Sequence, residues 1–167
     1  AFVFCLSPLL APVRADLANY RAQEAFYMGD LDTAEAEIAR AIKLQPRNGY
    51  YAEVMADVYR FGGLEEAAFA EMERGAQLQP GIPYIALNAA RSALAVDRLD
   101  AAEDWYEHAL ASDPNGASAL IEAAEFYART GRPDRAVDIL EFFESLRSPN
   151  RGAWEIADKI YFSLGLE

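Results

Sequence analysis

Apolar and small residues recur along this chain at intervals of three and four, the spacing that puts them on one face of an α-helix. Polar and charged residues fill the positions between, and the alternation expected of half-buried strands is almost missing. With prolines as stops and glycines as turns, the pattern predicts helices over 16–28, 31–44, 48–61, 64–78, 82–95, 99–111, 116–129, 133–146 and 151–163. An all-α chain follows.

The helical segments come in pairs, and the pairs repeat. Pro46, Pro80 and Pro114 lie 34 residues apart, and Pro149 arrives one residue late. The same interval links Ala22, Ala56, Ala90 and Ala124, and again Ala34, Ala68, Ala102 and Ala136. A third small series is Ala41, Gly75 and Ala109, which Phe143 breaks, and a bulky series runs Ile38, Met72, Tyr106, Leu140. Small residues let two helices cross closely and the bulky ones fill the space between them. Gly29, Gly63 and Gly131, with Asp97 in the third unit, fall between the two helices of each pair, where a left-handed residue turns the chain. Pro83 and Pro133 fall at first helical positions, where a missing N–H costs nothing.

These series resemble the tetratricopeptide repeat, which has a small residue at its eighth position, an aromatic at the eleventh, alanine at the twentieth, a bulky residue at the twenty-fourth, a small one at the twenty-seventh and proline at the thirty-second. Ala56, Tyr59, Ala68, Met72, Gly75 and Pro80 carry the pattern in the second unit. Ala90, Ala102, Tyr106, Ala109 and Pro114 carry it in the third, and Ala124, Tyr127 and Ala136 in the fourth. The last helix restarts it with Trp154 and Tyr161. The resemblance spans about 20–163 and implies an all-α, right-handed superhelical solenoid of four repeats plus a C-terminal capping helix. The first unit departs from it, with Arg21 and Ala25 where large apolar and aromatic residues are usual, which predicts a displaced or frayed first helix.

The resemblance further implies a concave groove lined by the first helix of each unit, where a protein or peptide partner lies. Carried onto this sequence, the groove positions are Tyr50, Asp57 and Arg60, then Tyr84, Leu87, Asn88 and Arg91, then Ile121, Glu125 and Arg129. Glu53, Leu94 and Glu122 lie among them, and the first unit adds Asn19, Gln23 and Phe26. Tyrosine and leucine would anchor apolar groups, and Arg60 and Arg91 would fork a ligand carboxylate, unless they pair with Asp57 or Glu125. The Lys and Asn clamp that some relatives use for C-terminal carboxylates is matched only by Asn88, so that specificity is not expected.

Charge narrows the partners. With 15 Lys+Arg against 27 Asp+Glu, the formal net charge is −12, and no basic stripe offsets it. A phosphate backbone would be repelled, so no nucleic acid is expected as a partner. Asp100, Glu103, Asp104 and Glu107 read as a solvated convex face. The one histidine, His108, stands without the partners that a catalytic base or metal ligand needs, and Asp57 with Glu125 is an accidental pair in so acidic a chain. No phosphate loop, nucleophile elbow or Cys/His cluster occurs, so neither enzyme activity nor a cofactor or metal is expected. Trp154 and Tyr161 are expected to close the apolar end of the fourth unit, with self-association through that end as the rival role.

Residues 1–15, AFVFCLSPLLAPVRA, differ from the rest. An apolar run ends at Pro12, and Val13 and Ala15 place small residues at −3 and −1 before Asp16, which suggests a signal-peptide remnant and a repeat domain over 16–167. A membrane-proximal anchor and a packing helix are the competing readings. On the first reading the protein is exported to a periplasm or envelope, either as a free adaptor or as the N-terminal part of a larger, membrane-associated assembly such as an exopolysaccharide-export outer-membrane protein. A cytoplasmic assembly factor is the third setting.

Overall fold

The computed structural model describes residues 10–166. Nine helices and no strand occur among them: α1 (Ala11–Tyr27), α2 (Leu31–Leu44), α3 (Gly49–Phe61), α4 (Glu65–Leu78), α5 (Pro83–Ala95), α6 (Leu99–Ser112), α7 (Ala117–Arg129), α8 (Pro133–Ser145) and α9 (Arg151–Ser163). Consecutive helices pack as antiparallel hairpins, α1 on α2 through α7 on α8, and each hairpin stacks on the next. The result is a helical solenoid.

All but one of the helix boundaries match the sequence pattern to within about a residue. The exception is α1, which begins at Ala11 instead of 16, so that Pro12 starts the helix where it was expected to interrupt the chain. In the first turn a proline loses no intrahelical hydrogen bond, which is why it is tolerated there. Nor is α1 frayed: Ala15, Ala18 and Ala22 are buried in a regular helix. The first nine residues, with Cys5, lie outside the described region, and the processing signal expected over 1–15 falls partly there.

The turns obey backbone sterics. Gly29, Gly63 and Gly131 have φ between 75° and 79°, and Asp97 takes their place in the third hairpin at φ 58°. Asp is one of the few non-glycine residues that visits this region at modest cost. Asp30, Asn48 and Asn150 cap α2, α3 and α9 by accepting a hydrogen bond from a backbone N–H in the first turn.

Every member of the small and bulky series is buried. α3 and α4 approach closely, so that a Cβ on Gly49 would stand 2.6 Å from the Gly75 carbonyl oxygen. Phe143, which breaks the small series, is buried against Trp154 of α9, with ring centroids 4.9 Å apart. Trp154 also donates its indole N–H to the Ser148 carbonyl at 2.8 Å, and Tyr161 packs on the same core, so the last helix closes the stack as expected.

The acidic run on α6 is not wholly a solvated face. Asp100 and Asp104 are exposed, whereas Glu103 meets Arg132 at 2.5 Å and Glu107 meets Arg135 at 3.0 Å, both at the start of α8. Tyr127 donates its hydroxyl to Glu107 at 2.6 Å beneath the Arg132 guanidinium. That hydrogen bond, with Arg135, holds the Glu107 carboxyl below its ordinary pKa.

Candidate peptide-binding groove

α1, α3, α5 and α7 are the first helices of their hairpins, and together they line three recesses that share residues end to end. The N-terminal recess, about 200 Å³, has Gln23, Phe26 and Tyr27 on one side, Tyr50, Glu53, Val54 and Asp57 as its floor, and Tyr84 opposite. Glu53, Asp57 and Tyr84 continue into a central recess of about 280 Å³ with Arg60, Asn88, Arg91 and Ser92. Arg91 then leads into a C-terminal recess of about 520 Å³ bounded by Leu94, Tyr106, Glu122, Glu125, Phe126 and Arg129. A helix exposes one stripe every three to four residues, and stacking four such helices sets those stripes side by side.

Eight of the ten groove positions drawn from the sequence line this surface. Leu87 and Ile121 do not. They are 6% and 3% exposed and belong to the main core. The equivalent position in the second unit is Glu53, and in the first Asn19. Apolar side chains thus fill this site in two units, while a carboxylate and an amide fill it in the other two.

The charged groups are already engaged with one another. Arg60 meets Asp57 at 2.6 Å and donates to Ser92 Oγ at 3.1 Å. Arg91 forks Glu122 with bonds of 2.8 and 2.6 Å, and Asn88 Oδ1 accepts a third at 2.8 Å. This bidentate pairing raises the Arg91 pKa above even its usual high value and fixes the guanidinium as a permanent cation. Arg129 lies 3.7 Å from Glu125 on an exposed stretch of α7. The anticipated partner of Arg60, Asp57, is therefore correct, but Arg91 selects Glu122, not Glu125. Asp57 and Glu125 line different recesses.

Glu53 sits between the first two recesses and is 9% exposed. Its Oε1 accepts from the Tyr84 hydroxyl and from Asn88 Nδ2, the latter at 2.7 Å. Burial, reinforced by this bond, raises the Tyr84 pKa, so its hydroxyl remains a donor at neutral pH. Tyr50 is partly exposed and accepts from Gln23 Nε2 at 3.2 Å. Tyr106, from the bulky series, adds a wall to the C-terminal recess; burial and the nearby Glu122 charge push its hydroxyl up to about 12.

Ser92, Tyr27 and Leu99 also line the groove and were not anticipated. Ser92 carries no sequence signal, whereas Tyr106 had one but was assigned only to the hairpin interior. Outside the groove, His108 lies exposed on α6 with its ring 5.3 Å from that of Trp105. Among the described residues, no three His, Cys, Asp or Glu side chains converge as a metal site requires, and no helix is long and apolar enough to cross a membrane.

Stacked helix hairpins with a continuous groove along their first helices define a repeat-solenoid class of binding architecture. Two family models, each described as a tetratricopeptide repeat, match residues 21–83 and 93–141, and the chain belongs to that family. Sequence comparison with curated proteins gives no match. Among solved structures, a MamA protein superposes with a TM-score of 0.72 at 20% identity, covering 92% of this chain and 84% of that one. "YrrB: a TPR protein with an unusual peptide-binding site" superposes at 0.68 and 14% identity, covering 99% and 84%. The "First TPR of Spaghetti (RPAP3) bound to HSP90 peptide SRMEEVD" superposes at 0.62 and 18%, covering 72% and 98%. Likeness at such identities is a likeness of fold.

Proposed function

We propose that this protein is a non-enzymatic scaffold that holds a protein or peptide partner in the groove of α1, α3, α5 and α7. The run of three recesses along one face carries this reading, because an extended peptide presents side chains at successive points along such a track. Two solved structures of the same fold are described by the peptides or peptide-binding site they contain, which supports it. The test uses peptides selected on the intact chain from a random display library. Replacing Arg60, Arg91 and Arg129 together by Glu breaks all three groove ion pairs, and affinity for the selected peptides should be lost while helicity is kept. Unchanged affinity would count against the groove.

The setting we propose is a bacterial periplasm or envelope, on the strength of the signal-like pattern before Asp16. N-terminal sequencing of the processed protein should begin near Asp16, and a start far from it overturns export. A place within a larger envelope assembly is the second reading. It is favoured by α9, which restarts the repeat pattern as the first helix of a fifth unit would. Gene sequence beyond Glu167 with alternating strand patterns would support that assembly. The outward face of α9, where Phe162 is 85% exposed, also offers a contact for a second copy, to be checked by light scattering of the wild type against Phe162→Glu.

A further inference from the structure

Five carboxylates line the groove, Glu53, Asp57, Asp97, Glu122 and Glu125, and its three arginines pair with Asp57, Glu122 and Glu125. Of the two without a cation, Asp97 is exposed to solvent and Glu53 is buried. It is also the only charged residue in the buried set, and its Oε2 is buried with no hydrogen-bond partner among the described residues. A carboxylate oxygen withdrawn from water and left unpaired is costly. Glu37 Oε2 is also buried and unpaired, but the other oxygen of Glu37 lies 3.7 Å from Arg40, whereas Glu53 has no such cation. Its location sharpens the point, since the third and fourth units fill the same position with Leu87 and Ile121.

The surroundings suit a positive ligand group. Phe26, Tyr27, Tyr50 and Tyr84 wall the adjoining recess, Asp57 adds a second carboxylate, and no lysine or arginine lines it. Aromatic faces and carboxylates are the two kinds of group that hold an ammonium or guanidinium out of water. Access requires little rearrangement. Tyr84, whose hydroxyl occupies the other oxygen of Glu53, is 53% exposed, so a side-chain rotation frees the carboxylate without moving a helix.

We propose that the N-terminal recess receives a lysine or arginine side chain of the bound peptide, with Glu53 as its buried counter-ion and Asp57 at the rim. This rests on the peptide-binding reading of the groove and gives it a chemistry: a basic residue anchors at α3, beyond the self-paired Arg91–Glu122 half. The SRMEEVD peptide of one structural neighbour, acidic toward its end, would meet no unpaired cation in this recess.

The test is the display selection above, followed by titration of a labelled selected peptide onto the full chain and mapping of amide chemical shifts. The wild type should enrich Lys or Arg at one peptide position. Replacing that residue by norleucine should weaken binding about tenfold or more, Glu53→Gln should do the same, and the two losses should not add. Glu53→Gln keeps an oxygen to accept from Asn88 and Tyr84, and the norleucine arm needs no protein variant at all, so a folding defect cannot imitate the result. Peptides that perturb α3 and α5 amides but carry no enriched cation, or that bind Glu53→Gln undiminished, overturn the cation site and leave the groove standing. Failure to enrich any peptide, or shifts confined to other helices, overturns both.

Discussion

The first and fourth hairpins share one register yet are held by very different amounts of side chain. In the first, α1 buries only Ala15, Ala18 and Ala22, and the bulk comes from Ile38 of α2 with Tyr51 and Met55 borrowed from α3. In the fourth, Phe126, Tyr127, Leu140 and Phe143 fill the hairpin itself, and α9 covers its open side through Ala153, Ala157 and Ile160. The first cluster is separate from the main core, with the half-buried Tyr59 touching both. In a solenoid each unit is stabilised by itself and its neighbour, so the two ends need not open together. The alanine-lined end depends on its neighbour, and the aromatic end is sealed by a cap.

The largest effect should come from Phe143→Ala. It empties the space against Trp154 and should cost about 3–5 kcal/mol, read as a lower urea midpoint in which helicity and tryptophan fluorescence fall together. A midpoint unchanged from the wild type would mean that α9 does not seal the fourth unit. Ile38→Ala should cost about 2–5 kcal/mol, but locally. Amide hydrogen exchange should quicken over 11–44 and stay slow over 117–145; acceleration everywhere would show that the two ends are one cooperative body.

Gly49→Ala tests the second unit, which links the two ends. Alanine normally favours a helix over glycine, yet here its Cβ meets the Gly75 carbonyl oxygen, so a loss of about 1–3 kcal/mol is expected. A gain in thermal stability would show that α3 and α4 can separate freely. Tyr51→Phe removes the 2.7 Å bond to Asp16 and should cost about 1 kcal/mol, felt only in the exchange of the first hairpin.

Tyr51 and Tyr127, one in each region, have hydroxyls pushed up to about 12, chiefly by burial and then by hydrogen bonds to Asp16 and Glu107. A folded pKa above the unfolded value of 10 leaves stability intact below pH 10 and removes it as pH climbs toward 12. Tyrosinate absorbance from these two should therefore rise only as helicity falls. Ionisation with helicity unchanged would contradict their burial.

Much of this was legible without coordinates because repetition made it redundant. Four parallel residue series fixed the hairpins, and Asp97 could be assigned as a turn residue only because Gly29, Gly63 and Gly131 mark the same place in other units. Redundancy fails where a unit is unique. Pro12 lies 34 residues before Pro46, in the series that elsewhere follows the end of a helix, yet here it begins α1, and the start of α1 was misplaced for that reason. It also fails within a helix: Leu87 and Ile121 share the register of Glu53, which lines the groove, yet both are buried in the main core.

The register, the helix pairs and the buried small-and-bulky seam belong to the sequence, because each rests on contacts within a hairpin or its turn that local spacing specifies. The pairing of charges belongs to the tertiary structure. Arg91 reaches Glu122 from 31 positions away, and the choice between it and Glu125 depends on how one hairpin is wound against the next. The same winding leaves Glu53 buried without a cation, at a position where the third and fourth units place apolar side chains.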